Sequence, residues 1–455
     1  MPKRGPGSVP DPNRGLGCSD PSLPFDHVVV VMMENHSFDN VLGALPIHGQ
    51  PLANGLTFLD ESATNSNPAR NGAAAQADSV SAFRLTTTAQ DAHVSQSWNA
   101  THAQIDGGTM QGFVRSAGGS SQPMGYYTPK LLPFTYSLAN SFAVANRWFC
   151  SAPCQTYPNR RFLMAGTASG EITTRFLDPT VPDPANGTIF DVMTDHGVSW
   201  RNYCTDFPTT MIIPEVVRRH ADKIRPLADF AADCDAGTLP DVSLVDPGLG
   251  LVTDVGRFIA GHPYMELLGT RLEAVSGSEE APQDIAFGER WAYDVIRRVV
   301  RSPAWPRTLL IYTYDEHGGY YDHVRPEDAV PPDDIPPHLL PGDTPGGYDI
   351  YGPRVPAIIV SPYARPHAVS DTVYDHTSVL ATIEAKWNLP ALTYRDARAN
   401  PVWDLLDFNT PALLKPPRLK RPPGMFFEAI LDLLGIKRPI GGRRPTKPAR
   451  TTPTA

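Results

Sequence analysis

Two short strings of the sequence combine side chains that bind cations and move protons. Glu34-Asn35-His36-Ser37-Phe38-Asp39 follows the apolar run His27-Val-Val-Val-Val-Met-Met33, and Asp315-Glu316-His317-Gly318-Gly319-Tyr320-Tyr321-Asp322-His323 follows Thr308-Leu-Leu-Ile-Tyr-Thr-Tyr314. Each places an acid beside an acid or an amide directly after an apolar run. If the two runs are neighbouring strands, Glu34, Asn35, Asp315 and Glu316 crowd into one pocket. Carboxylates that close cannot all stay ionised without positive charge between them. A divalent cation is the simplest neutraliser: oxygen donors favour Mg²⁺, Ca²⁺ or Mn²⁺, and an added histidine would shift the balance toward Zn²⁺. Taken singly, the same pairs also fit helix caps and solvated loop acids.

A third string is Thr156-Tyr157-Pro158-Asn159-Arg160-Arg161. A hydroxyl beside a stiffening proline and a guanidinium suits nucleophilic attack on phosphate. A metal would lower the hydroxyl's pKa, and the guanidinium would grip the phosphoryl oxygens in a bidentate fashion. An ordinary helix start with Thr156 as its cap has the same residues.

These strings need elements to position them. The two apolar runs show no alternation, as expected of parallel strands covered on both faces, and Val355-Pro-Ala-Ile-Ile-Val360 is a third. Between them, Glu289 to Arg301 puts Trp291, Val295, Ile296, Val299 and Val300 on one helical face, and Ser302-Pro303 stops that helix. The reading is an α/β domain built on an open parallel or mixed sheet, in which ligands bind at the carboxyl ends of strands. By that rule Ser361-Pro362-Tyr363, after the third run, is a further strand end to watch. Residues 51–90 read as a surface excursion, and residues 325–350, with seven prolines, as a long loop. Residues 182–240 are assigned to the same domain, and no internal repeat is evident.

Composition bounds the rest. The 455 residues carry 39 Lys+Arg against 48 Asp+Glu, a net charge of −9, with 41% hydrophobic and 19% charged residues. That is too apolar for a disordered chain, and no apolar stretch approaches the ~20 residues that span a bilayer. The acidic total argues against a nucleic-acid partner. Five cysteines without a CxxC pair exclude a dense disulfide framework and a Cys-rich zinc site. Residues 1–24 are Pro/Gly-rich and are expected to form a disordered arm with no visible signal peptide. Residues 415–455 carry ten Lys/Arg against two acids, a net +8 that leaves −17 for the remainder. Within this tail, 425–434 would form a short amphipathic helix; the tail either contacts anionic membranes or is a disordered solubilising extension.

Taken in order, Glu34-Asn-His-Ser-Phe-Asp39, Thr156-Tyr-Pro-Asn-Arg160, Asp315-Glu-His-Gly-Gly-Tyr-Tyr-Asp-His-Val324 and Tyr351-Gly-Pro-Arg-Val-Pro356 resemble the phosphoesterase family of non-specific phospholipases C and acid phosphatases. Tyr374-Asp-His-Thr-Ser378, with Glu384 and Trp387, looks like its C-terminal block. The resemblance spans residues 25–410 and implies a three-layer α/β sandwich around a mostly parallel mixed sheet, like that of alkaline phosphatases and sulfatases. It implies one divalent metal ion bound by residues matching Glu34, Asn35, Asp315 and Glu316, with the hydroxyl matching Thr156 as both ligand and nucleophile. A histidine matching His93 contacts the phosphate, and His93 or His323 is expected as acid and then base. Asn159, Arg160 and His376 are expected to bind substrate, whereas His36 and His317 are read as structural. Sulfatases need an aldehyde at the nucleophile position; Thr156 could yield only a ketone, so sulfate ester hydrolysis is disfavoured.

One departure stands out. Where the resemblance implies a histidine before the helix leading to Asp315, the chain reads Ser278-Glu-Glu-Ala281-Pro-Gln-Asp284. The expected activity is metal-dependent hydrolysis of a phosphomonoester or phospholipid through a phospho-Thr156 intermediate. Ala281 motivates the rival, a metal- or lipid-surface-binding homologue with weak or lost turnover.

Overall fold

Successive side chains of a strand point to opposite faces, so an unbroken apolar run is stable only where both faces are covered. The computed structural model meets that condition at the sheet centre, where every residue of Thr308–Tyr314 and all but the first of His27–Met33 are buried. The structure describes residues 4–70, 78–175, 181–248 and 277–423. Eight strands form the main sheet, numbered here in chain order: β1 (His27–Met33), β2 (Ala143–Ala145), β3 (Trp200–Cys204), β4 (Ile224–Pro226), β5 (Val242–Asp246), β6 (Thr308–Tyr314), β7 (Ala357–Val360) and β8 (Val369–Ser370). Their order across the sheet is β4-β3-β5-β1-β6-β7-β2-β8. All neighbours are parallel except β7, which runs antiparallel to both β6 and β2.

The antiparallel β7 corrects one expectation. Its carboxyl end, and with it Ser361-Pro362-Tyr363, lies at the opposite edge from Glu34 and Asp315. The Ser361 hydroxyl bonds the carbonyl of Thr308, the first residue of β6 (2.9 Å). The start of β7 faces the functional edge instead, because Thr313 pairs with Ala357 and Arg354 lies just before it.

Helices cover the sheet in two groups. One contains α2 (Thr156–Ala165) and α4 (Thr377–Trp387), packed on each other and with Ile189–Asp195 against α2. The other contains α3 (Ile285–Val299), packed on Leu227–Ala236 and Pro133–Ala139. A short α1 (Phe38–Leu42) follows β1, capped by the Ser37 hydroxyl, which accepts the Asn40 N–H. α3 starts four residues before the expected Glu289 because the Asp284 carboxylate caps it through the Ala286 N–H. Buried Glu289 faces the other way and accepts the Phe134 N–H (2.7 Å), closing the start of the Pro133–Ala139 helix. The result is an α/β fold with a central, mostly parallel mixed sheet between helical layers, and no helix among the described residues is long and apolar enough to cross a membrane.

Residues 4–24, expected as a disordered arm, are instead held on the body, which forms one compact unit through Pro422. Composition suggests a loose segment, but its backbone groups find partners at the end of α4. Asn388, in the left-handed region that ends this helix (φ 51°), donates to the Asp11 carbonyl (2.9 Å) and accepts the Asp11 N–H (2.9 Å). The Lys386 ammonium donates to the Leu23 and Asp20 carbonyls (2.7 and 3.1 Å). The expected helix at 425–434 and the tail beyond 423 lie outside the described residues. Asn388→Gly keeps the left-handed backbone and removes the side-chain bonds to the arm. Trypsin should then cleave after Arg14 about tenfold faster, as loss of ~1–2 kcal/mol of local hydrogen bonding implies, with the main unfolding transition little changed.

Candidate active site

The register of the two central strands decides where the chemistry sits. Met33 of β1 pairs with Tyr314 of β6, so Glu34 and Asp315 are the next residues on adjacent parallel strands. The Asp315 N–H extends the ladder to the Met33 carbonyl (3.2 Å). The buried Asp315 carboxylate then ties the two loops together: one oxygen accepts the N–H groups of Glu316 (2.7 Å) and Asn35 (3.1 Å). Asn35 supplies its N–H from a left-handed backbone (φ 66°), which asparagine tolerates better than most residues. Gly318 (φ 64°) lets the loops touch, since a Cβ there would lie 1.9 Å from the Asn35 carbonyl oxygen. Its N–H donates to Glu316 Oε2 (2.8 Å).

Helix α2 brings Thr156 and Arg160 to the same edge. Thr156 is the first helical residue, 9% exposed, at the end where the helix dipole favours negative charge. Asn159 and Arg160, expected to bind substrate, lie one turn deeper and are fully buried. The Asn159 amide accepts the Ala152 N–H (3.0 Å) and donates to the Cys154 carbonyl (2.8 Å), folding the preceding loop onto the helix and presenting Thr156. The Arg160 guanidinium donates to Asp315 Oδ2 (2.9 Å), the Thr209 hydroxyl (3.0 Å) and the Met33 carbonyl (3.1 Å), so each of its nitrogens is engaged by protein. His376, also expected at the substrate, is buried beneath the site. Its Nε2 donates to the Asp315 carbonyl (2.6 Å) while Nδ1 accepts from the Trp148 indole (3.4 Å).

The electrostatics are those of too many acids in one buried place. Burial, then Glu280 and Asp315, push the Glu34 pKa up to about 8 against the pull of Arg160. The Ser278 hydroxyl donates to Glu34 Oε1 (2.5 Å). Burial, followed by the Asp315 charge, raises Glu316 well above the carboxylate range. Asp246, at the end of β5 beside β1, is a further fully buried acid, and Arg160 is the guanidinium they share. Glu316 Oε1 and the Asn35 side-chain nitrogen are buried without a hydrogen-bond partner. Rotating the Asn35 amide exchanges its nitrogen for its carbonyl oxygen. Unsatisfied hard oxygen donors and uncompensated negative charge fit a divalent cation.

Asp39, Asp322 and His323 place three potential ligand atoms within 4.8 Å of one another. That cluster already holds a cation. The Arg354 guanidinium bonds Asp322 through Nε and an Nη (2.9 and 3.1 Å), reaches Asp39 (3.3 Å) and stacks on Phe38. His323, expected as acid or base, donates through Nδ1 to Asp39 Oδ2 (2.7 Å), and its Nε2 faces the Asn54 amide oxygen (3.1 Å). His93 is better placed. It is half-exposed, with Nε2 3.7 Å from Glu280, and Glu280 lies within electrostatic reach of Glu34 and Glu316. Gln90 laces the His93 loop to the Ala281 segment through the carbonyls of Glu279 and Gln283 (2.7 and 2.8 Å). His36 and His317 are buried, with pKa values lowered by burial to about 4 and about 3.

Three participants escape a reading of the sequence. Asp246 carries a usable signal, since Val242-Ser-Leu-Val-Asp246 is another short apolar run ending in an acid. Arg354 lies in the string Tyr351-Gly-Pro-Arg-Val-Pro356, but only the antiparallel strand explains its position. Ser278 gives no signal.

A model of the Phosphoesterase family matches residues 25–390. The chain is 31% identical over 403 residues to non-specific phospholipase C1 of Arabidopsis thaliana, covering 83% of this chain and 70% of that protein. Against phospholipase C B of Mycobacterium tuberculosis it is 28% identical over 467 residues, covering 89% and 82%. A solved Vibrio parahaemolyticus protein of the alkaline phosphatase superfamily overlaps with a TM-score of 0.36 at 12% identity, across 73% of this chain and 72% of that one.

The His323 cluster gives a pH test. Burial lowers the His323 pKa, but the Asp39 charge and hydrogen bond outweigh it, so the folded value lies above the ordinary 6.5. A raised histidine pKa contributes stability that is fully present below about 6.5 and is lost as pH rises through the folded value. His323→Gln should therefore destabilise the protein in urea more at pH 5.5 than at pH 8.5. An equal loss at both values would show that the imidazolium contributes nothing.

Proposed function

The chain belongs to the phosphoesterase family and is a hydrolase of phosphoric ester bonds, and from that premise we propose that it is metal-dependent, works through a phospho-Thr156 intermediate and acts on phospholipid. The observation that supports this reading most is the linkage of α2 to the strand ends. The helix that starts at Thr156 is tied through Arg160 to Asp315, and Asp315 is tied to Asn35 and Glu316. A hydroxyl, a helix N-terminus and an acid cluster are thereby held in one arrangement.

The residues present fit a hard divalent cation. Glu34, Asn35, Asp315 and Glu316, with the Thr156 hydroxyl, would hold it, and their all-oxygen character favours Mg²⁺, Ca²⁺ or Mn²⁺ over Zn²⁺. When bound, it supplies the positive charge that lowers the hydroxyl's pKa and stabilises the phosphoryl oxygens. In the first displacement Thr156 Oγ1 gives up its proton to solvent and bonds to phosphorus, the P–O bond to glycerol breaks and His93 protonates the departing alkoxide. In the second, His93 takes a proton from water, whose oxygen attacks phosphorus from the vacated side. The Thr156–phosphorus bond breaks and the released Thr156 alkoxide takes a proton back from solvent. Burial lowers the His93 pKa, and a bound phosphoryl anion would favour its protonated form.

Charge supports a diester over a monoester, since a singly charged phosphodiester is repelled less by this acidic pocket than a dianion. The relatives named above are phospholipases C, which supports lipid as the diester. The basic tail would add attraction to anionic bilayers.

Thr156→Ala should reduce hydrolysis of phosphatidylcholine by about 10⁴-fold or more, as loss of a nucleophile implies, and EDTA should abolish it reversibly. Wild-type rates in Thr156→Ala, or in metal-stripped protein, would overturn the reading; faster turnover of p-nitrophenyl phosphate than of lipid would overturn the substrate assignment. Removing residues 424–455 should weaken binding to phosphatidylserine vesicles at low salt. Unchanged binding would rule out the tail as a membrane contact.

A further inference from the structure

Three neighbouring strand ends carry acids: Asp246 on β5, Glu34 after β1 and Asp315 after β6. Proton and metal chemistry would use the last two. Asp246 has a different set of partners, all protein. One carboxylate oxygen accepts the Thr209 hydroxyl (2.7 Å), and the other accepts the Thr209 N–H (2.7 Å) and the Asn202 amide (2.6 Å). The Thr209 hydroxyl, while donating to Asp246, accepts from the Arg160 guanidinium (3.0 Å). All four residues are fully buried, so no water competes for these bonds.

We propose that Asp246, acting through Thr209, is a positioning residue that anchors the Arg160 guanidinium and so keeps it from displacing a divalent cation in the acid cluster. This rests on the metal-dependent reading above. The physical problem is the sharing of carboxylates between two cations. Arg160 is attracted by Asp315, Glu34 and Asp246. A guanidinium free to shift would settle among Glu34 and Asp315, satisfying the oxygens that a divalent ion needs. Asp246 gives Arg160 a second counter-charge on the β5 side, and the Thr209 hydroxyl fixes the distance between them. Arg160 then grips a single oxygen of Asp315 and leaves Glu34 and Glu316 to others. The arrangement also explains why a buried acid outside the expected ligand set sits at the same edge of the sheet.

The test is Mn²⁺ binding to metal-stripped full-length protein, measured by calorimetry and by loss of the free-ion EPR signal. Thr209→Val changes no charge and removes only the hydroxyl, and it should weaken Mn²⁺ binding about tenfold, the lower range for residues that orient metal ligands. Thr209→Ser restores the hydroxyl and should bind within about twofold of wild type. At saturating Mn²⁺ the KM for substrate should stay unchanged in all three proteins, because Arg160 does not touch substrate. If Thr209→Val does not fold, Asp246→Asn reports the same linkage and should also weaken binding. Equal Mn²⁺ affinity in wild type and the folded variant overturns this inference and leaves the metal reading intact. Absence of Mn²⁺ binding by wild type overturns both, and a rise in KM at saturating metal overturns the positioning role in favour of substrate contact.

Discussion

The Asp315 carboxylate is the joint on which the candidate site depends. One of its oxygens holds the backbone of two loops that leave neighbouring strands, and the other holds a guanidinium from the helix that starts at Thr156. Three separate chain segments are thus fixed to one another by a side chain with no exposure to water. In that setting an ion pair is strong once formed, and breaking it by removing one partner is correspondingly destabilising, because the remaining charge stays buried. The constraint explains why Arg160 is spent on structure. It also explains why the proposed nucleophile is held on a helix end and not on a loose loop.

The same joint creates the charge imbalance on which the proposed chemistry relies. Concentrating Glu34, Asp315, Glu316 and Asp246 at the ends of adjacent strands costs desolvation, seen in the upward shifts of Glu34, Glu316 and Asp246, and mutual repulsion, seen at Glu34 and Glu316. A protein can lower that cost by protonating the acids or by admitting a cation. The unsatisfied oxygen of Glu316 and the unpartnered amide nitrogen of Asn35 favour the second solution. A second acid cluster, Asp39 with Asp322, shows the contrasting case, in which Arg354 and His323 already balance the charge and nothing further is required.

Much of this is legible in the sequence because the strand signal is local. Runs such as His27–Met33 and Thr308–Tyr314 announce buried strands, and the residues just after a parallel strand lie at the ligand edge. Glu34, Asn35, Asp315 and Glu316 are found that way, and the structure brings them together. Strand direction is not legible: nothing in Val355–Val360 says that β7 runs backwards, so the sequence points to Ser361 and passes over Arg354. Depth is not legible either. Asn159, Arg160 and His376 have the chemistry of substrate ligands, but all three are buried and engaged by protein, Asn159 by the loop just before it and Arg160 and His376 by segments far away in the chain. The order of the N-terminal arm is hidden for the same reason, since it depends on Lys386 and Asn388, more than 360 residues away.

The proposed covalent step is the claim most open to direct measurement. Metal-loaded enzyme mixed with excess phosphatidylcholine and quenched in acid within one turnover should carry one phosphocholine group by intact-mass analysis, mapped to the peptide containing Thr156. The adduct should disappear on longer incubation and never form after EDTA treatment. Product released in a full turnover, with the Thr156 peptide unmodified at every quench time and metal present, would contradict the account.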